Sequence, residues 1–198
     1  MEKLIVVDCD GVLLDWIKGF NEWMEYRGYQ CVPDSDHHYA IETRFGVAKD
    51  LARQLVRDFN ESAALGFLDA FRDSVAGVRI LAENYGYQFD VVSSLGSYDY
   101  SQRLRERNIR DVFEADGVIK FRNIHCIPIS ADKYDILSEL YYGKGYYWVE
   151  DKEENALAGE RAGLKPILLE AKYHEPNPKY AHIPVAKNWA DIVNIITK

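Results

Sequence analysis

Residues 4–11, LIVVDCDG, read as a buried strand that finishes on two acids. Leu4, Ile5, Val6 and Val7 follow one another without a polar break. Both faces of such a strand are covered, as in a parallel sheet. Asp8 and Asp10 then stand one residue apart, and Gly11 lets the backbone turn away sharply. Paired acids do nothing for a core. They make sense if the strand presents them at the edge of a sheet.

Working outward, the period changes at once. Leu13, Trp16, Ile17, Phe20, Trp23 and Met24 share a helical face and predict a helix over 12–27, closed by Gly28. CVPDSDHHYAI (31–41) reads as a turn-rich loop, and Leu51, Leu55, Val56 and Phe59 predict a second helix over 50–65. A helix from about Ala76 to Tyr85 leads into a strand at Phe89–Val92 that ends on Ser93 and Ser94. SYDYSQRLRERNI (97–109) reads as a solvated helix, and VIKFRNIHCIPIS (118–130) as one strand or two. A capped helix through Tyr134, Leu137 and Leu140 follows, then a strand in YYWVEDKEEN (146–155), a helix ending at Gly163, a strand in KPILLE and a helix in NWADIVNIIT.

Strands alternating with helices imply a doubly wound, mostly parallel α/β sheet. Residues 16–71 interrupt that alternation with helices alone. The expected organisation is therefore a core of residues 1–15 and 72–198 carrying a helical insert, 16–71.

The 198 residues carry 32 acidic against 24 basic side chains, a net charge of −8, which argues against a nucleic-acid polymer as partner. An anionic small molecule would need a local lysine or a metal. Cys9, Cys31 and Cys126 show neither zinc spacing nor a disulfide framework, so a cytoplasmic setting is expected. The opening MEKLIVVDCDG turns acidic too soon for a signal peptide, and no apolar run is long enough to span a bilayer.

In an open α/β sheet, ligands bind beyond the carboxyl ends of the strands. Three strands here end in polar groups, which would gather Asp8, Asp10, Ser93, Ser94, Glu150 and Asp151 at one edge. Clustered carboxylates repel, and a hard cation such as Mg²⁺ resolves the conflict. Lys133 opens a predicted helix, where the macrodipole disfavours a cation, so its place there points to a phosphate or a strand-end acid. Taken singly, each of these features is ordinary turn or capping chemistry. Their order and setting give them weight.

VVDCDGVLLD, DVVSSL, SADKYDIL and YYWVEDKEEN, in that order, resemble the four motifs of the haloacid dehalogenase-like superfamily. The insert falls where that superfamily carries a C1-type cap over its Rossmann-like core. DGVLLDWIKGF, GFLDAFRDSVAGV, VVSSL, ADKYDIL and VAKNWADIV are also similar to the 5'(3')-deoxyribonucleotidase branch. Glu150-Asp151 stands where that branch usually has two aspartates. The resemblance implies a Mg²⁺-dependent phosphomonoesterase. Asp8 would be the nucleophile and Asp10 the proton partner. Mg²⁺ would be held by Asp8, the Asp10 backbone carbonyl and Asp151, with Glu150 in support. Ser93, Ser94, Gly11 and Lys133 would hold the phosphate.

The implied substrate is a small phosphate ester, with a nucleoside monophosphate first. A sugar-phosphate phosphatase or phosphomutase of the same fold, or a catalytically idle binding module, are the alternatives. Strand alternation points Cys9 away from Asp8 and Asp10, which favours packing over nucleophilic work. His37 and His38 have no spaced partner and read as part of a solvated loop. Trp16, Phe20 and Phe67 are aromatic core candidates, and the closest in the insert to a substrate pocket.

Overall fold

Leu4–Val7 forms β1, parallel to β2 (Gln88–Leu95) on one side and to β4 (Tyr147–Glu150) on the other. Its side chains are fully covered on both faces. Ile5 and Val7 pack with Phe89, Val91 and Val149, while Leu4 and Val6 pack with Val92, Leu137 and Trp148. That double burial is why the run is apolar without alternation. The computed structural model describes residues 2–96 and 98–198.

With β3 (Phe121–Pro128), β5 (Lys165–Leu169) and β6 (Val185–Ala186) the strands make one six-stranded parallel sheet, ordered β3-β2-β1-β4-β5-β6. VIKFRNIHCIPIS thus holds a single strand, at the sheet's edge. The chain order runs one way from β1 to β3 and the other way from β4 to β6. The reversal lies between β1 and β4, and sheets of this kind hold their ligands beyond the strand ends at such a point.

Between β1 and β2 the chain forms α1 (Trp16–Tyr26), α2 (Ile41–Phe45) and α3 (Lys49–Asn60), then α4 (Ser74–Tyr85). α1 starts four residues later than its apolar period predicts. The amides of Val12, Leu13 and Leu14 all turn onto the Cys9 carbonyl at 2.8–3.3 Å, and the Asp15 carboxylate caps the helix by accepting from Lys18 N–H at 3.0 Å. The chain enters and leaves this helical stretch side by side: Phe71 N–H donates to Leu13 O at 2.8 Å, and Asp15 N–H to Asp69 O at 2.9 Å. Phe20, Trp23, Phe45 and Phe59 form the aromatic centre of these helices, with ring centroids 5.3–6.0 Å apart in the packed pairs.

After β2 comes α5 (Asp99–Phe113), which is not the solvated helix its charges suggest. Ser101, Leu104, Arg105, Asn108, Ile109 and Phe113 are buried along one face. The Asn108 amide accepts from Leu68 N–H and donates to Leu68 O, at 2.9 and 3.0 Å. α6 (Lys133–Tyr141), α7 (Glu153–Arg161) and α8 (Trp189–Thr197) complete the layers. Asp73 caps α8 by accepting from the amides of Trp189 and Ala190 at 3.0 and 3.1 Å. The Trp189 indole N–H reaches the Val12 carbonyl at 2.8 Å.

Candidate active site

Asp8 follows the last residue of β1, and its amide still donates to Val149 O on β4 at 2.9 Å. Its carboxylate is nearly buried. Lys133 Nζ lies 2.7 Å from Asp8 Oδ1 and 2.9 Å from Glu150 Oε2, so one ammonium joins the ends of β1 and β4. Lys133 is itself buried, in the first turn of α6 behind the Asp132 cap. Burial pulls its pKa down, but the charges of Asp8 and Glu150 more than reverse this and hold it above the usual lysine value. The misfit between a lysine and a helix N-terminus is thus resolved by two carboxylates.

Glu150 is fully buried. Its second oxygen accepts from Lys152 N–H at 3.1 Å. Burial and the charge of Asp8 hold its carboxyl well above the usual range, against the pull of Lys133. Asp151 is raised in the same way by burial and by Asp8. Carboxylate oxygens of Asp8, Glu150 and Asp151 lie within 4.8 Å of one another. Three acids facing one ammonium leave negative charge that a hard cation would neutralise, and an all-oxygen donor set suits Mg²⁺.

Two residues hold Asp151 that the sequence did not single out. The Tyr173 hydroxyl donates to Asp151 Oδ2 at 2.5 Å. His174 Nδ1 accepts from Ala171 N–H at 3.2 Å, which leaves its Nε2–H to donate to the Asp151 carbonyl at 2.6 Å. Both lie in the loop after β5, where no periodicity marks them. Tyr39 reaches over from the loop between α1 and α2. Its ring meets Tyr173 edge-on at 5.2 Å, and Lys152 Nζ sits 5.2 Å from its centroid. Although 56% of Tyr39 stays exposed, partial enclosure and then the charges of Asp151, Glu150 and Asp8 push its phenol up. Arg44 braces that loop, donating to Ser35 O at 2.7 Å and to Asp36 at 3.2 Å.

Asp10 has a different partner from Asp8, although the charges of Asp8 and Lys133 still reach its carboxyl. Its two oxygens receive the fork of Arg105: Nη1 donates to Oδ1, and Nη2 to Oδ2 at 3.0 Å. Nη1 also lies 2.9 Å from the Cys9 sulfur. Cys9 is buried and turned from Asp8, and burial pushes its thiol far up. Alternation thus describes Cys9 and Asp8 but fails for Asp10, because β1 ends at Val7 and the chain is already turning. Burial raises the Asp10 carboxyl against the pull of Arg105, although 29% of its side chain stays exposed.

Ser93 is fully buried and its Oγ has no hydrogen-bond partner. Ser94 is partly exposed; alternation from Val92, which packs with Val6, puts it on the Asp8 side of the sheet. Gly11 N–H is spent on Leu14 O at 2.9 Å. What the position needs is a φ of +74° and no side chain.

Of the three aromatics expected nearest a pocket, two pack among the helices of 16–71. Trp16 stacks on Phe20 at 4.7 Å and its Nε1–H donates to Asn60 at 2.8 Å. Phe20 is fully buried, and Phe67 stands 73% exposed beneath the Arg107 guanidinium.

No family model and no curated protein matches this sequence. Solved structures do match along the whole chain. A haloacid dehalogenase-like family hydrolase from Streptococcus pneumoniae is 15% identical with a TM-score of 0.64, covering 98% of each chain. An L-2-haloacid dehalogenase is 16% identical with a TM-score of 0.60, covering 99% of this chain and 100% of that one. A D,D-heptose 1,7-bisphosphate phosphatase of B. bronchiseptica, solved with magnesium and phosphate, is 14% identical with a TM-score of 0.59, covering 100% of this chain and 98% of that one. At this distance the likeness establishes architecture alone: the chain has the haloacid dehalogenase-like fold.

Proposed function

We propose that the chain is a Mg²⁺-dependent phosphomonoesterase that works through a phosphoaspartate on Asp8. The observation that carries this reading is the pairing of Asp8 with Lys133 where β1 and β4 end, with carboxylate oxygens of Asp8 and Asp151 within 4.8 Å of each other. An Asp8 oxygen attacks phosphorus and the ester oxygen departs, splitting one hard hydrolysis into two steps. Asp10 gives that oxygen a proton, then takes one from the water that opens the phosphoaspartate. Lys133 offsets charge on Asp8 and the phosphoryl oxygens, and Ser94 donates to the phosphate. Asp8, Asp151 and the Asp10 carbonyl would hold Mg²⁺, with Glu150 in support, and the ion would neutralise charge on the transferring group.

For substrate, a nucleoside monophosphate, deoxy forms included, follows from the deoxyribonucleotidase-like segments. A sugar-phosphate phosphatase or phosphomutase is the second reading. It is favoured by the burial of Phe20 and the tethering of Trp16, which leave Tyr39 as the exposed aromatic beside the carboxylates. The idle binding module is disfavoured because nucleophile, ammonium and acidic pair all converge.

Phosphate release from nucleotides and sugar phosphates, with Mg²⁺ or EDTA, tests the reading. Wild type should turn over only with Mg²⁺, and a folded Asp8→Asn should not turn over at all. Near-normal activity of that variant would sink the phosphoaspartate. A tenfold lead of sugar phosphates in kcat/KM, about 1.4 kcal/mol, would replace the nucleotidase by the second reading.

A further inference from the structure

We infer that Arg105 is the positioning residue for Asp10, fixing the carboxylate that exchanges the proton with the leaving group; this rests on the phosphomonoesterase reading above.

Asp10 sits in a turn, and a carboxylate there rotates freely unless something holds it. Both of its oxygens meet one guanidinium, in the paired geometry that fixes a carboxylate plane as well as its position. The anchor is rigid. Arg105 is fully buried in the middle of the packed face of α5, between Ser101 and Asn108. Its third contact, the Cys9 sulfur, belongs to the residue that links the two acids in sequence.

A burial of this kind is costly. A guanidinium taken wholly from water needs a partner charge, and a well-packed apolar residue often does as well or better for stability. Stability alone is therefore a weak reason for an arginine at this place. A lysine could supply charge but not the planar fork. Each Asp10 oxygen keeps lone-pair room beyond its bond to Arg105, so the carboxylate can be held and still meet a leaving group across its exposed side.

Three proteins test the assignment: Arg105→Lys, Arg105→Met and Asp10→Asn, plus each arginine variant in the Asp10→Asn background. The probes are an alkyl phosphate, which needs its leaving oxygen protonated, and p-nitrophenyl phosphate, which does not. Single-turnover rates of the phosphorylation step are measured with Mg²⁺.

If Arg105 acts through Asp10, Arg105→Met should slow the alkyl ester about 10–100-fold, less than the roughly 10²–10⁴-fold a general acid supplies because Asp10 itself remains, and the aryl ester by under about threefold. Arg105→Lys should fall between Arg105→Met and wild type on the alkyl ester. Neither change should add to the loss already present in Asp10→Asn. Equal losses on both esters, or losses that add in the Asp10→Asn background, overturn the proposal. So does a pair of variants that fail to fold with Mg²⁺ present, since Arg105 would then be structural. An inactive wild type, or an Asp10→Asn protein that does not discriminate the two esters, indicts the phosphomonoesterase reading instead.

Discussion

The Asp151 carboxylate lies against the backbone of Gly11: a Cβ placed on Gly11 would meet Asp151 Oδ2 at 2.5 Å. Two demands therefore fall on one residue. The turn requires a positive φ, which costs other residues about 1–2 kcal/mol, and the acid pair requires empty space. Gly11→Ala should push Asp151 outward and weaken Mg²⁺ binding at least tenfold, seen as a smaller Mg²⁺-induced rise in Tm. An alanine protein with wild-type Mg²⁺ affinity would show that Asp151 does not need this contact.

Tyr173 orients Asp151 through a single hydroxyl. Outer partners of metal ligands typically matter by about 10–100-fold. Tyr173→Phe keeps the ring and its edge-on contact with Tyr39, so it isolates the hydrogen bond. We expect the Mg²⁺ concentration for half-maximal phosphate release to rise by that factor, with kcat at saturating Mg²⁺ changed less. An unchanged Mg²⁺ requirement counts against the role.

Proton and metal compete at the same carboxylates. Glu150 and Asp151 hold pKa values above those of the unfolded chain when no cation is bound. The folded form then takes protons more readily than the unfolded one, so these groups stabilise the metal-free protein as pH falls through the raised values and cost it stability as pH rises. Lys133, also raised, is charged in both states until near its unfolded value of about 10.4, so it adds no slope at lower pH. The Mg²⁺-induced rise in Tm should accordingly grow from about pH 5 to about pH 8. A shift that is flat, or larger in acid, contradicts it.

Trp16 belongs to the aromatic centre of α1–α3 and to Asn60. Trp16→Ala should cost about 3–5 kcal/mol of stability, read from denaturant unfolding. KM should rise alike for a nucleotide and for a small phosphate ester. A rise confined to the nucleotide, with stability kept, would restore Trp16 as a base platform.

Which parts of this arrangement could be read in advance follows from what each signal measures. Continuous burial on both faces leaves a run such as LIVV, and acids at the end of such a run stand out because nothing in a core explains them. Lys133 was visible for the same reason, as a charge at the wrong end of a helix. Arg105 was hidden because a charge on a helix reads as solvated. Its burial shows only through its neighbours one turn away, Ser101, Asn108 and Ile109, none of which carries a charge. Tyr173 and His174 lie in a loop without a period, and their partner Asp151 is distant in sequence. The start of α1 was misplaced because apolar spacing continues through Val12–Leu14, while the Asp15 cap and the Cys9 carbonyl decide where the helix begins.

The bond from the Trp189 indole to Val12 spans 177 positions of chain. The turn that aims Asp8 is therefore finished by a residue met far later in the sequence, and β1 itself gains its neighbours only from residues 88–95 and 147–150. On a ribosome, LIVVDCDG emerges long before anything can cover it, while the aromatic rings of α1–α3 find one another locally. Contacts this remote form slowly. A half-made chain would carry the locally packed α1–α3 beside an apolar strand still awaiting its sheet, the segment a chaperone would need to shield.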